Sequence, residues 1–322
     1  MAFNWYYREN ENRLLPILHE DIWKLKKNIE SSSWLATEID LSKDRLQWLT
    51  LSQDEQKFVK YQIAFFIHID IAVIDTIDKF SDYIDCIEAK FYYIEQNRQE
   101  AIHAESYALQ AEAIMSGAEL DEIQNSISTM PIIKKIYDWI HSYSVKNNGI
   151  EVFLVVMACT EGILFSASFA ALQWLRENNK LHGITAMNEF IVRDENLHTS
   201  MSTLLISKYV KNKPSFDIVT QIVQSLIAII DEFIEEAIPV KLLGMNAENM
   251  KDYVRFRADI VLNNMNYITI YDIKNPFKFM QKLELNRTNK TNFFENPNSA
   301  YHQAVDPNLT LFRYATDEEY YK

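Results

Sequence analysis

"QEAIHAESY" (residues 99–107) decides how the rest of the chain is interpreted, because it sets three ionisable side chains on one helix face. At 100° per residue, His103 lies about 60° from Glu100, and Tyr107 lies about 20° from it. Apolar residues such as Ile102 occupy the other side, so this helix is expected to be buried nearly all round. A buried carboxylate is costly unless a partner compensates its charge. Taken alone, the pair is more typical of a satisfied core glutamate and a core histidine than of a metal site.

The Glu-x-x-His pair occurs a second time, in "FIVRDENLHTSM" (residues 190–201), as Glu195 and His198. Helical bundles that hold two metal ions take Glu-x-x-His from each of two helices and one carboxylate from each of two others. The repeated pair therefore predicts two further acids, each isolated on an apolar helix.

One isolated acid is Glu161, the only charge in "VFLVVMACTEGILFSASFAALQWL" (residues 152–175). This stretch is long enough to span a membrane. A lone acid at its centre indicates a protein interior with a partner for the charge instead. On the same helix, Phe165 lies about 40° from Glu161.

The other isolated acid is Asp70, in "YQIAFFIHIDIAVIDTI" (residues 61–77). Apolar residues surround it on the helix, and His68 projects about 160° away, which makes that histidine a poor co-ligand. On the pattern alone, Asp75 and Asp78 remain alternatives.

The charges of this set indicate which metals it suits. Four carboxylates and two neutral imidazoles carry a charge that two divalent ions cancel. Oxygen-rich ligation with one imidazole per ion suits iron or manganese better than zinc. A closed zinc site would use cysteine, and the chain has only Cys86 and Cys159, neither in a Cys-x-x-Cys pattern. Two cysteines in a chain of this length predict no disulfide framework.

Composition favours long helices joined by short connections. The 322 residues are 48% hydrophobic and include five glycines and seven prolines, which argues against a sandwich or a Rossmann fold. Neither G-x-G-x-x-G nor a Walker loop is present. No linker divides the first 270 residues. We therefore predict one all-α domain over residues 1–283, with helices near 19–30, 42–48, 53–80, 83–115, 119–128, 131–145, 150–178, 184–210, 215–237 and 246–266.

Charge and termini bear on partners and location. The net charge of −13 disfavours nucleic acid and anionic membranes as partners. The N-terminus, "MAFNWYYREN", has no apolar signal segment, so we expect a cytoplasmic protein. Residues 284–322 are polar with scattered aromatics, which predicts an irregular, flexible C-terminal tail.

Several segments together resemble the small, radical-generating subunit of class I ribonucleotide reductase, in its eukaryotic and viral branch. The segments are "SSSWLATEIDLSKD" (31–44), "AFFIHID" (64–70), "EAIHAESY" (100–107), "EGILFSASFA" (161–170), "RDENLH" (193–198), "PVKLLGMN" (239–246) and "KTNFFE" (290–295). The resemblance implies a ferritin-like helical bundle, a homodimer, and a di-iron site with two iron ions per chain, manganese being the alternative. It also implies that O2 oxidises a tyrosine and that a separate large catalytic subunit reduces ribonucleotides, in the form of diphosphates.

The resemblance assigns roles to residues of this chain. It implies Tyr107 as the radical site, in a pocket formed by Phe165, Phe169 and Ile191. Its implied metal ligands are Asp70, Glu100, His103, Glu161, Glu195 and His198.

The resemblance also implies a route for the radical. Trp34 and Asp194 would connect the site to the protein surface, and Tyr301 in the tail would relay the radical to the large subunit, on which the tail docks. The chain ends in "TDEEYYK", which departs from the acidic terminus ending in an aromatic residue or leucine expected of the family.

Two other classes remain open on the ligands alone. Di-metal oxidases and monooxygenases share this ligand set but need a substrate cavity in place of a buried radical tyrosine. An iron-binding or storage protein is the third class, and it would need a cage-forming surface, which the sequence does not indicate.

Overall fold

The structure, a computed structural model, describes residues 2–6, 13–143, 145–237 and 245–280. Within these ranges the regular elements are helices, and an isolated antiparallel bridge joins Phe3 to Val210. The helices are α1 (Glu20–Ser31), α2 (Asp44–Trp48), α3 (Gln53–Ser81), α4 (Ile87–Ile114), α5 (Ala118–Gln124), α6 (Ser126–Thr129), α7 (Pro131–Ser142), α8 (Val145–Asn148), α9 (Ile150–Cys159), α10 (Phe165–Glu177), α11 (His182–Leu204), α12 (Phe216–Ala237) and α13 (Ala247–Asn264). Two π-helical segments, Thr160–Leu164 and Leu205–Tyr209, and two short 3₁₀ turns, Ala36–Glu38 and Lys278–Met280, complete the set.

Helix ends follow local sequence signals. Helix α3 begins with a capping box, in which Ser52 Oγ accepts from Glu55 N at 3.3 Å and Ser52 N donates to the Glu55 carboxylate at 3.0 Å. Asn246 caps α13 by accepting from Asn249 N at 2.8 Å. The predicted all-α fold is confirmed, and each predicted helix corresponds to one or more observed helices.

Helices α3 and α4 form an antiparallel pair whose register is fixed by aromatic contacts. Phe80 meets Tyr93 edge to face at 4.7 Å near one end, and Phe66 stacks on Tyr107 at 4.4 Å further along. Helix α11 runs antiparallel to α4, as the contacts Gln110–Met187, His103–Asp194 and Gln99–His198 show, and α9 and α10 both pack against α11. Parts of four helices thus line one common interior.

Helices α9 and α10 join through Thr160–Leu164 into one apolar helix, Ile150–Glu177, which is long enough to cross a membrane. In its most apolar 18-residue stretch, 94% is buried inside the protein. A Cβ added to Gly162 would lie 2.6 Å from Val261 and 2.8 Å from Thr199. The glycine therefore lets α11 and α13 pack directly on this helix, which serves as the central core helix.

The expectation that α4 is buried nearly all round is wrong. Ile94, Ala101 and Glu105 lie on a solvent face, and Ile94 is 64% exposed. The buried face of α4 is instead rich in polar groups such as Gln96 and Gln99. An amphipathic pattern is masked when the buried side carries polar residues that bond to one another.

The predicted tail, residues 284–322, lies outside the described residues, as does most of "PVKLLGMN" (239–246). Cys86 and Cys159 are both buried free thiols, as expected for a chain with no disulfide framework.

Candidate metal centre

Six buried carboxylate and imidazole side chains converge in the interior between four helical segments. They are Asp70 from α3, Glu100 and His103 from α4, Glu161 from the π segment, and Glu195 and His198 from α11. Their donor atoms form two groups that share Glu100, with all atoms of a group within 4.8 Å of one another. The groups are Asp70, Glu100 and His103, and Glu100, Glu161, Glu195 and His198.

Two glutamates lie between the two imidazoles. Glu195 places Oε1 3.0 Å from His103 Nδ1 and Oε2 3.2 Å from His198 Nδ1. Glu100 places Oε2 3.4 Å from His103 Nδ1 and Oε1 3.0 Å from His198 Nδ1. Each carboxylate thus offers one oxygen to each half of the site, which is the arrangement needed to bridge two cations.

His103 is held from outside by a carboxylate. Its Nε2 lies 3.3 Å from Asp194 Oδ2, and the indole N–H of Trp34 donates to the same oxygen at 2.8 Å. Arg193 donates to Asp194 Oδ1 at 3.2 Å. The two predicted transfer residues are therefore brought together with His103, a predicted ligand, in the order Trp34, Asp194, His103.

His198 is held from outside by a neutral amide. Its Nε2 lies 2.9 Å from Gln99 Oε1, and Gln99 Nε2 donates to Ser32 Oγ at 3.1 Å. An acceptor at Nε2 fixes the ring so that Nδ1 faces the carboxylates. Gln99 was not identified from the sequence. Its position next to Glu100, on a face already carrying buried polar groups, was the available signal.

The pKa values reflect crowding of negative charge in a dry interior. Burial raises the pKa of Asp70 well above its usual value, and the nearby Glu100 carboxylate adds to the rise. Burial also raises the pKa of Glu161. Burial opposes ionisation of Glu100 too, but His198 and His103 outweigh it and lower its pKa to about 2. Such a cluster calls for positive charge, which divalent cations supply.

The unpaired oxygens fit metal ions. Neither carboxylate oxygen of Asp70 has a hydrogen-bond partner among the described residues, and the same holds for Glu161 Oε2. The other oxygen of Glu161 accepts from Gln96 Nε2 at 2.6 Å. Buried acceptors without donors are costly in a metal-free site, whereas hard cations take oxygen ligands of this kind. The donor set of four carboxylates and two imidazoles therefore fits a two-metal site.

Tyr107 lies one turn beyond His103 in a closed aromatic environment. Its ring is fully buried and stacks parallel on Phe66 at 4.4 Å, and its hydroxyl has no hydrogen-bond partner within the described part of the chain. Phe165 and Phe169 pack on Phe66 at 5.7 and 5.2 Å. Burial raises the pKa of Tyr107 well above its usual value, and the Asp70 carboxylate adds to the rise.

Phe66 links Phe165 and Phe169 to Tyr107, a role that sequence reasoning missed. Its position one turn before Asp70 was the available signal. Ile191, the third predicted pocket residue, is also buried, one turn before Glu195 in α11.

Asp75 and Asp78, the alternatives to Asp70 on the same helix, point to solvent and away from the cluster. Asp75 is exposed and lies 3.5 Å from Lys79, and Asp78 is exposed and accepts from Asn97 at 2.8 Å. Tyr301, the predicted tail relay, lies outside the described residues.

A second buried group, His19, Cys86 and Glu88, lies apart from this centre. Glu88 accepts from Leu18 N at 2.9 Å and from the Cys86 thiol at 3.3 Å. Both carboxylate oxygens are thus used in hydrogen bonds that tie the residues before α1 to the start of α4. This network accounts for Cys86 and Glu88 without a metal.

Comparison with known proteins identifies relatives along most of the chain. Residues 11–276 match the family model described as ribonucleotide reductase, small chain. The chain is 39% identical over 293 residues to ribonucleoside-diphosphate reductase subunit M2 of Danio rerio, covering 89% of this chain and 75% of that protein. It is 38% identical over 290 residues to the ribonucleoside-diphosphate reductase small chain of Vaccinia virus (strain Ankara), covering 89% and 90%. Among solved structures, the ribonucleotide reductase Rnr4 homodimer from Saccharomyces cerevisiae superposes with a TM-score of 0.77 at 25% identity, covering 87% of this chain and 91% of that one.

Proposed function

This chain belongs to the ribonucleotide reductase small-chain family, and from that premise we propose that Tyr107 carries the radical that starts ribonucleotide reduction. The chain is the small subunit of a ribonucleoside-diphosphate reductase, an oxidoreductase with a ferritin-like fold. The family implies a dimer and a large-subunit partner. A di-metal oxidase and an iron-binding protein, the two other classes with this ligand set, are not favoured by these relatives.

We assign two iron ions per chain to the six converging side chains, with manganese as the alternative. When bound, the ions would supply, together with O2, the oxidising equivalent for Tyr107. Glu100 and Glu195 would help to hold both ions, because each carboxylate faces both imidazoles. His103 and His198 would each give Nδ1 to one ion.

The observation that carries the proposal is the environment of Tyr107. A phenoxyl radical survives only where water and reductants are kept away. The stacked Phe66 ring and the buried Phe165, Phe169 and Ile191 supply such a pocket. Tyr107 also follows the ligand His103 by one helical turn, which keeps it close to the oxidising site.

The contacts of Trp34 support a route for the radical. The Trp34 indole donates to Asp194, and Asp194 lies 3.3 Å from His103. Trp34 is 5% exposed, so the row starts just beneath the surface. This row supports passage of an electron, coupled to a proton, between the docked large subunit and the centre.

We further assign the tail, residues 284–322, to docking on the large subunit, with Tyr301 as the relay. Both lie outside the described residues, and the proposal rests on the polar composition of this stretch and its scattered aromatics. We place the protein in the cytoplasm.

The radical assignment is tested by electron paramagnetic resonance after addition of ferrous iron and O2. Tyr107→Phe loses one hydroxyl that makes no hydrogen bond to the described residues, so the metal content and fold should be retained. The tyrosyl signal and the reductase activity should both be abolished. Tyr93→Phe is the matched control, since Tyr93 is a buried tyrosine of the same helix. A tyrosyl signal of unchanged shape in Tyr107→Phe would contradict the assignment.

The tail assignment is tested by deleting residues 303–322. The metal content and the tyrosyl signal should remain, because both depend on the helical core, while nucleotide reduction with the large subunit should be lost. A free peptide of the same sequence should compete with the intact chain. Tyr301→Phe should bind normally yet stop turnover. Full activity of the truncated chain would show that the tail is not the docking element.

A further inference from the structure

Three buried amides lie near Tyr107 and are not used by the proposed function. Gln62, Gln110 and Asn188 are each no more than 1% exposed. The described residues offer no hydrogen-bond partner to Gln62 Oε1, to Gln110 Oε1, or to either side-chain polar atom of Asn188. The one polar contact of Gln110 is from its Nε2 to the sulfur of Met187, at 3.4 Å. A thioether is a weak acceptor, so Gln110 is poorly satisfied at both ends.

The helix register places these amides at one level of the bundle. Gln62 precedes Phe66 by four residues in α3, and Gln110 follows Tyr107 by three residues in α4. Because Phe66 and Tyr107 stack and the helices are antiparallel, both amides lie one turn, about 5 Å, from the stacked pair in the same direction.

Asn188 joins the same level from α11. The contact of Gln110 with Met187 sets the register between α4 and α11, and Asn188 is the next residue. Asn188 also precedes Ile191 by one turn, as Gln62 precedes Phe66. We call Gln62, Gln110 and Asn188 the amide layer.

Layers of different character therefore follow one another along the bundle. The metal ligands form one layer, the aromatic pocket of Tyr107 the next, and the amide layer the third. Rings of Phe66, Phe165 and Phe169 close the sides of the pocket with apolar surface. The amide layer is a polar boundary on the side away from the metal ligands.

The chemistry of the unpaired atoms selects a ligand. Three are acceptor oxygens and one is the donor Asn188 Nδ2, so the layer needs hydrogen-bond donors. Burying an amide without a partner is costly, and native interiors satisfy such groups with protein atoms or ordered water. Water donates two hydrogen bonds and is small enough to lie between packed helices.

We propose that the amide layer binds buried water and is the polar entrance through which small neutral hydrogen-bond donors reach Tyr107. The water site is independent of the proposed function, while the entrance rests on Tyr107 being the radical site. A solute that can donate to Gln62 and Gln110 replaces the water there and then meets the edge of the aromatic pocket. Solutes that are larger, or that have no hydrogen-bond donor, cannot replace the water in this way.

The water site is tested by high-resolution crystallography of the metal-loaded protein and of the double variant Gln62→Met, Gln110→Met. Methionine keeps the length of glutamine without its amide. Ordered water within hydrogen-bond distance of Gln62 and Gln110 is expected in the unmodified protein, and its loss is expected in the variant. A dry amide layer in the unmodified protein would overturn the proposal. The double leucine variant provides the same test if the methionine variant does not fold.

The entrance is tested by the decay of the tyrosyl signal in hydroxylamine, a small neutral donor. The tyrosyl signal should decay about tenfold more slowly in the double variant, because hydroxylamine loses the hydrogen bonds that hold it next to the aromatic pocket. Thr76→Val is the matched control, because Thr76 is a buried polar residue of the same helix as Gln62, lies beyond Asp70 on the side away from the amide layer, and donates its hydroxyl to Ala72 O at 2.6 Å. It should decay like the unmodified protein.

Two results would overturn the entrance. One is equal decay in the double variant and the unmodified protein, with water present in the layer. The other is no tyrosyl signal from the unmodified protein, which removes the proposed function as well, while the crystallographic water still decides the amide layer by itself.

Discussion

The two copies of Glu-x-x-His use the same residue types in the same spacing, yet their histidines are supported differently. His103 is backed by the Asp194 carboxylate, which also receives the Trp34 indole. His198 is backed by the neutral amide of Gln99. A carboxylate hydrogen-bonded to an imidazole both orients the ring and raises its basicity as a metal ligand, whereas an amide only orients the ring. The two halves of the metal centre are therefore unequal although their ligand motif is the same.

Both supports meet at the segment between α1 and Trp34. Gln99 donates to Ser32 Oγ at 3.1 Å, and Arg193, which also contacts Asp194, donates to the Ser32 carbonyl. This short stretch thus contacts Gln99 directly and Asp194 through Arg193. The difference between the halves lies in charge and not in how well each ring is anchored.

The largest effect is expected from a residue that the halves share. Glu195→Ala removes a carboxylate that lies within 3.2 Å of both imidazoles, so metal content should fall from two ions per chain to one or none. The tyrosyl signal should be absent. Elemental analysis checks the metal, with Glu189→Ala as control, since Glu189 lies on the same helix and pairs with Arg176. Two ions retained in Glu195→Ala would mean that the halves are independent.

A smaller effect on metal binding is expected from substitution of Asp194, the carboxylate that supports His103. Asp194→Asn removes the charge but keeps a hydrogen-bonding group, so metal affinity should fall by about 10- to 100-fold. Turnover with the large subunit should fall further, because the row from Trp34 is changed as well. Trp34→Phe separates the two effects: it should leave metal affinity unchanged and lower turnover alone. Metal titration and activity measured on the same preparations check both.

The smallest effect on metal binding is expected from substitution of Gln99, the amide that supports His198. Gln99→Leu removes an orienting amide without changing charge, so metal affinity should fall by about tenfold or less. Competition titration against Asp194→Asn gives the direct comparison. Equal losses in the two variants would show that orientation, and not charge, is what the outer partners provide, and the inequality of the halves would be lost.

Much of the centre could be predicted because ligand chemistry is local. The doubled Glu-x-x-His and the lone Glu161 are visible in single helices. Asp70 could not be separated from Asp75 by pattern, because burial of α3 depends on which neighbours it packs against. The exposed Asp75 and the buried Asp70 differ only in the direction they face.

The outer partners were less accessible to sequence reasoning. A glutamine on a buried face, such as Gln96 or Gln99, has no fixed chemical signature, and its role follows from a partner distant in sequence. Gln99 bonds to His198, 99 residues away. The solvent face of α4 was also missed, since exposure is decided by the arrangement of the other helices.

The π segment Thr160–Leu164 was not predicted either, because a uniformly apolar stretch carries no periodic signal that marks a change of helical period. The segment has a consequence for how this gene can change. A π turn accommodates one extra residue in an α-helix, and here the turn contains Glu161. Deleting a single codon in the segment would remove the extra residue and restore a regular helix, so α9 and α10 would keep nearly the same relative orientation. Phe165 and Phe169 would then stay on Phe66, and the change would fall on the turn that carries Glu161. A one-residue change of length in this helix is therefore expected to spare its apolar packing and to alter the acid at its middle.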